Sequence, residues 1–135
     1  MIQKILISVC LMSVAVYGQE SSKKTFVSPG GTQLRVLVDA AALGGSEVEI
    51  GELTFAPASE SAEHQHGVTE TFYVLEGELT QVVNGKPIKL GPGMTASIRS
   101  TDHVIHRAGP KGAKVLVIWA PGGEVARVTA RWKAQ

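Results

Sequence analysis

The stretch 64–77, HQHGVTETFYVLEG, combines two histidines, one glutamate and a strongly β-prone run. In an extended chain, side chains at positions i and i+2 point to the same face, so His64 and His66 should face the same way. A turn through Gly67 could then bring Glu70 beside them on the next strand. Two imidazoles and one carboxylate suit a borderline divalent metal and can leave coordination positions open. Since three ligands do not close such a site, a fourth is expected farther along the chain.

The overall composition is that of one globular domain. The chain has 135 residues, a net charge of +1 and 44% hydrophobic residues, which is enough to bury a core without covalent staples. The near-neutral charge, without a basic stripe, argues against a nucleic-acid partner. Cys10 is the single cysteine, so the sequence predicts neither a disulfide framework nor a thiolate ligand in the mature chain.

Residues 1–18 have the pattern of a secretory signal peptide. Lys4 precedes the apolar run 5–16, which is too short to cross a bilayer as a helix, and a cleavage site fits before Gln19. The sequence therefore predicts a secreted or periplasmic protein with no membrane attachment after cleavage. An uncleaved anchor, or lipid attachment at Cys10, is the alternative.

Short apolar runs separated by turn signals predict an all-β protein. Residues 19–31 are expected to form a flexible leader, residues 32–124 the β-domain, and residues 125–135 a terminal strand or tail. Asn84-Gly85 between two strand-like runs is a strong hairpin signal, because both central positions of the turn need a positive φ. About eight or nine short strands fit a sandwich or barrel.

Glycines and prolines are expected to punctuate these strands. The apolar alternation slips near Gly51, which predicts a bulge or bend there. Segment 40–45 is either a helical turn or a loop, and its glycines favour the loop. Gly77 is expected to end the strand before it, and Gly109-Pro110 to close another strand.

The spacing of the opening stretch resembles the first motif of the cupin superfamily: histidine, any residue, histidine, three residues, glutamate, six residues, glycine. All four fixed positions are present, as His64, His66, Glu70 and Gly77, while Ala58 replaces a glycine that usually precedes the first histidine. The resemblance implies a double-stranded β-helix, that is, a jelly-roll barrel, and a homodimer.

Residues 90–123 resemble the second cupin motif, which implies that His103 is the fourth ligand. The usual proline and glycine of its loop are absent, and Arg107 stands where asparagine is usual. His106 competes with His103, and because i and i+3 face opposite sides of a strand, only one of them can point inward. The apolar neighbours do not decide between them, but the resemblance favours His103. The predicted metal ligands are therefore His64, His66, Glu70 and His103.

Ligand type alone leaves the metal open among Fe, Mn, Ni, Zn and Cu. The resemblance implies a metal-dependent enzyme acting on a small organic molecule inside the barrel, as a dioxygenase, decarboxylase, isomerase or lyase. The alternative is a non-catalytic module that binds or senses a small ligand such as a sugar. No residue is assigned a catalytic role, and Arg35, Arg99 and Arg107 are candidates for binding an anionic substrate.

Overall fold

The computed structural model describes residues 24–135. The predicted signal peptide and the first part of the predicted leader lie outside the described residues. Within the described range, no helix is both long enough and apolar enough to cross a membrane.

Strands dominate the described part of the chain. The elements in chain order are β1 (Thr25–Val27), β2 (Gln33–Val38), α1 (Ala40–Leu43), β3 (Glu49–Phe55), β4 (Thr69–Val83), β5 (Lys86–Leu90), β6 (Thr95–Ile98), β7 (Val104–Ala120), α2 (Glu124–Thr129) and β8 (Lys133–Ala134). The strands form one sheet in the order β5-β4-β7-β3-β2-β1-β8, with β6 paired to β4. All pairings between these strands are antiparallel, and the predicted all-β class is confirmed.

The longest strands, β4 and β7, form the frame of the site. They have 15 and 17 residues and pair along most of their length, but their register shifts on both sides of Gly77. Gly77 has φ +74°, and a Cβ atom there would collide with the carbonyl oxygen of Gly112. The prediction that Gly77 ends a strand is therefore wrong: the strand bends there, where only glycine permits the close approach. Gly109 and Pro110 likewise lie within β7.

The inward faces of these strands enclose one hydrophobic core. Its buried members are Leu34, Val36, Leu53, Phe55, Phe72, Val74, Leu79, Leu90, Ile98, Val104, Ala113, Val115, Val117, Trp119 and Val125. The ring of His106 joins this core, with centroids 5.9 Å from Phe55 and 5.3 Å from Phe72. The polar site is therefore built directly against apolar side chains.

The two ends of the domain differ from the sequence prediction. Thr25–Val27, predicted as part of a flexible leader, is a strand paired with both β2 and β8. Residues 125–135, predicted as a strand or tail, contain most of the helix α2 (Glu124–Thr129) before the short strand β8 (Lys133–Ala134). Val125 is buried, and Val128 and Trp132 pack against the core. The spacing of three residues places Val125 and Val128 on one side of α2, and this run is too short to stand out in the sequence.

Two local predictions can be compared directly with the structure. Segment 40–45 contains the short helix α1 rather than a loop, because Asp39 accepts a hydrogen bond from the Ala42 amide at 3.0 Å and Gly44 ends the helix at φ +71°. The predicted hairpin at Asn84-Gly85 is confirmed, with φ values of +49° and +79° joining β4 to β5.

The irregularity expected at Gly51 falls on the neighbouring strand. β3 alternates regularly, and the register shift lies in β2 between Val36 and Val38. Gly51 instead allows close packing, since a Cβ atom there would lie 2.5 Å from Leu34 Cδ1. The regular phase buries the carboxylate of Glu49, which accepts a hydrogen bond from the Val125 amide at 2.8 Å and so holds the start of α2.

Candidate metal centre

Three imidazoles meet at one end of the core. One ring nitrogen from each of His64, His66 and His106 lies within 4.8 Å of the others. His66 and His106 are buried, whereas His64 is half-buried. Glu70 joins them, with Oε2 2.8 Å from His66 Nε2 and 3.8 Å from His106 Nε2. The structure therefore brings together three of the predicted ligands and one histidine that the resemblance had ranked second.

The structure corrects the prediction at His103. β7 begins at Val104, and its inward face carries Val104 and His106. His103 lies before that strand, donates its amide hydrogen to Asn84 Oδ1 at 3.0 Å, and accepts a hydrogen bond from the Asn84 amide at 2.8 Å. Its side chain is 53% exposed, and the nearest charged partner is Glu63 at 3.5 Å. His103 is thus held at the hairpin tip, away from the cluster.

Strand register explains why the four groups converge. Glu70 on β4 lies directly opposite Trp119 on β7, and farther along the same two strands Gln81 lies opposite His106. An isolated bridge pairs His64 with Val104 at the start of β7. The bend of β4 therefore lets residues from both halves of this strand, and from β7, face one point.

The Nδ1 atom of each histidine in the cluster lies within hydrogen-bond distance of an oxygen atom. His64 Nδ1 lies 2.9 Å from the Ala62 carbonyl oxygen, and His66 Nδ1 lies 3.1 Å from Glu124 Oε1. His106 Nδ1 lies 2.5 Å from Gln81 Oε1. These acceptors fix the tautomer in which Nδ1 carries the hydrogen and Nε2 carries the free lone pair. In the neutral form of each ring, Nε2 therefore has the lone pair that a metal requires.

Glu70 is also oriented by a hydrogen bond at one of its two carboxylate oxygens. Its Oε1 accepts a hydrogen bond from Trp119 Nε1 at 2.9 Å. Its Oε2 and the Nε2 of His66 are buried 2.8 Å apart, without hydrogen-bond geometry between them and without another partner among residues 24–135. Such buried atoms normally find a partner, and a divalent cation between them would supply one. The donor set thus fits a metal with imidazole and carboxylate ligands.

Glu124 orients His66, and no sequence pattern predicts this role. This carboxylate at the start of α2 is 1% exposed. Besides His66, it accepts hydrogen bonds from the Gly67 amide at 3.0 Å and from Arg127 Nη1 at 2.7 Å. A Cβ atom at Gly67 would lie 2.9 Å from Glu124 Oε2, so glycine leaves room for this contact. No spacing within the histidine motif could reveal a partner 58 residues away.

Burial and neighbouring charges shift the pKa values of the three cluster histidines in different directions. Burial lowers the pKa of His106 well below its usual value, and burial also lowers the pKa of His64. Burial opposes the charged form of His66 as well, but its contacts with Glu124 and Glu70 outweigh this and raise its pKa to about 9. Without metal at neutral pH, His66 is therefore an imidazolium held between two carboxylates.

Removing the Glu124 carboxylate should weaken metal binding without removing a metal ligand. Above pH 9, where a proton on His66 no longer competes, we expect Glu124→Ala to lower metal affinity by roughly 10- to 100-fold, the usual effect of deleting the partner that orients a ligating histidine. Glu124→Gln, which keeps an acceptor oxygen, should lose less. Competition with a chromophoric chelator would measure both variants, and Glu63→Ala at an exposed carboxylate is the matched control. Wild-type affinity in Glu124→Ala would show that His66 is oriented without this contact.

A cavity of about 610 Å³ opens beside the imidazoles. Its apolar wall includes Leu53, Phe55, Val128 and Trp132. The arginines proposed from sequence for anion binding, Arg35, Arg99 and Arg107, do not line this cavity, but Arg131 does. A small organic molecule could therefore reach the histidine cluster from this side.

The comparison with known families agrees with this architecture. The sequence model of the cupin domain matches residues 51–119, about half of the chain, which spans β3 through most of β7. The chain belongs to the cupin domain family. The predicted jelly-roll β-barrel is confirmed. No curated protein matches the chain significantly.

Solved structures share the fold at low sequence identity. An RmlC-like cupin from Shewanella frigidimarina has a TM-score of 0.66 and 20% identity, covering 80% of this chain and 96% of its own. KdgF from Halomonas sp. has a TM-score of 0.61 and 19% identity, covering 70% and 82%. Bacillus subtilis oxalate decarboxylase, described with Mn(II) centres, has a TM-score of 0.65 and 18% identity, covering 79% of this chain and 31% of its own. At such identities the likeness shows the fold alone.

Proposed function

We propose that this protein binds one divalent transition metal through His64, His66, Glu70 and His106 and acts on a small organic molecule in the adjoining cavity. One observation carries the proposal. Each of the four side chains has one donor atom directed at the cluster, while its other polar atom is held by a hydrogen bond. Metal ligands typically bind the ion through one atom while a hydrogen bond at the other polar atom orients the side chain.

A bound metal would supply Lewis acidity or a site for dioxygen. The chain's own residues prepare the surroundings. Phe55 and Phe72 pack around the His106 ring and keep water from that side of the cluster. Ser59 lines the cavity, and its buried Oγ lacks a hydrogen-bond partner in the described part of the chain. The donor set suits Mn, Fe, Ni, Zn and Cu, and the similar oxalate decarboxylase is described with Mn(II) centres.

Metal titration of the purified, chelator-stripped protein tests the proposal. We expect one equivalent of Mn(II), Fe(II), Ni(II), Zn(II) or Cu(II) per chain, because residues 24–135 contain one such set of four donors. Pulsed electron paramagnetic resonance of the Cu(II) form should detect couplings to imidazole nitrogen. A stoichiometry below one-tenth for all five metals, in folded protein, would contradict the proposal.

A non-catalytic binding module is the competing function for the same cavity. Turnover by Fe(II)- and Mn(II)-loaded protein of phenolic compounds and organic acids would support an enzyme. Saturable binding of such compounds or of sugars, without turnover, would support a binding or sensing module. The half-buried His64, which also lines the cavity, makes the cluster accessible to either kind of molecule.

Export and dimerisation also belong to this proposal. The residue pattern at 1–18 supports export to the periplasm or medium, and intact mass of the protein recovered from its native host would reveal cleavage before Gln19. The edge strand β5, with an open hydrogen-bonding side, supports association of two copies. Light scattering would distinguish a dimer from a monomer.

A further inference from the structure

Arg131 is the single lysine or arginine among the residues that line the metal-site cavity. It makes no ion pair or side-chain hydrogen bond with any residue of the described range. The two carboxylates that line the cavity are engaged elsewhere: Glu60 pairs with Arg107, and Glu70 contacts Trp119 and His66. The guanidinium therefore has no anionic partner among residues 24–135, and it lies where a molecule in the cavity could supply one.

The segment that carries Arg131 is held in place on both sides. Before it, Glu124 is bonded to His66 and Val128 packs against the core. After it, Trp132 packs on the core, its amide donates to the Thr129 carbonyl at 2.9 Å, and β8 pairs with β1. A charge on such a segment is positioned toward the cavity at lower entropic cost than one on a free tail.

The charges in the cavity favour one sign of ligand. A divalent metal bound by three neutral imidazoles and the Glu70 carboxylate keeps a net positive charge, and Arg131 adds another. The lining also includes the apolar side chains of Leu53, Phe55 and Trp132. Two positive groups that line one cavity attract anions and repel cations.

We propose that the cavity selects a small organic dianion, with an oxygen of one carboxylate facing the metal site and a second carboxylate pairing with Arg131. The proposal rests on the proposed metal-dependent function and names its class of ligand. Arginine suits this role because its planar fork can donate two parallel hydrogen bonds to a carboxylate. The volume of about 610 Å³ accommodates a molecule the size of a dicarboxylic acid with a short apolar body.

Binding of adipate and of monomethyl adipate to the Zn(II)-loaded protein tests this inference. The two probes share one body and differ by one carboxylate, so the ratio of their affinities reports the second anionic contact. We expect Arg131→Gln to lower this ratio by about fivefold, as for a partly exposed ion pair, and Arg131→Lys to lower it less. Arg99→Gln, at an exposed arginine that does not line the cavity, should leave the ratio unchanged.

Metal content is measured separately in every variant, so two failures can be told apart. Wild-type protein that takes up no Zn(II) would count against the proposed metal function. Zn(II)-loaded wild type that binds neither probe, or Arg131→Gln with an unchanged affinity ratio, would overturn the assignment of Arg131. Equal losses in Arg131→Gln and Arg99→Gln would also overturn it, since the effect would then be one of net charge.

Discussion

Replacing His106 with alanine should lower metal affinity by more than about 100-fold, whereas replacing His103 should leave it nearly unchanged. His106 contributes a buried nitrogen to the cluster, and Gln81 holds its other nitrogen. Its loss should therefore exceed the roughly 10- to 100-fold effect of removing an orienting partner. His103 is exposed and bonded to the hairpin tip.

Chelator competition on the two variants would measure this difference directly. The pair is well matched, because both are histidine-to-alanine changes in the same region of the chain. Circular dichroism should confirm that His106→Ala stays folded, and His106→Gln offers a variant of more similar volume. Loss of the metal in His103→Ala but not in His106→Ala would show that His103, rather than His106, faces the cluster.

Metal affinity should also rise steeply between pH 6.5 and about 9. Burial disfavours the charged form of His66, but Glu124 and Glu70 outweigh this and raise its pKa to about 9. At neutral pH the metal must therefore displace one proton from His66, which makes the apparent affinity increase about tenfold per pH unit. The pKa values of His64 and His106 are lowered, so those rings are already neutral. The total gain over this window is roughly 300-fold.

Calorimetry in buffers of different ionisation enthalpy should detect release of about one proton per metal bound at pH 7.

The free energy of unfolding of the metal-free protein should instead decrease as pH rises. Because the folded-state pKa of His66 is raised, its stabilising effect is present below pH 6.5 and is lost as pH rises through about 9. This loss amounts to about 3 kcal/mol at most, and a falling melting temperature would report it. An affinity that does not change between pH 7 and 9 would refute the assignment of a protonated His66.

The first half of the site could be predicted because its information is local. His64, His66 and Glu70 lie within seven residues, and the alternation of a strand and one turn fix their relative directions. The fourth ligand depends instead on the phase in which β7 starts after the loop at 99–103. That phase is set by the paired hydrogen bonds between His103 and Asn84, a contact across 19 residues that no local pattern encodes.

The all-β class was equally accessible, since turn signals such as Asn84-Gly85 mark strand ends directly. The structural roles of Gly77 and Gly51 could not be predicted, because glycine also permits close packing between strands. Only the partner strand reveals which role applies. The helix α2 was missed because six residues provide less than two turns of periodicity. The role of Glu124 was missed with it.

The bond between Glu124 and His66 joins α2 to the histidine motif across 58 residues. Residues are added in chain order during synthesis, so a nascent chain that stops before residue 124 contains all four donors but lacks the carboxylate that orients one of them. The complete centre can therefore form only after α2 has been synthesised and has packed on the core. A proteolytic cut between β7 and α2 should loosen the ion before it disturbs the barrel.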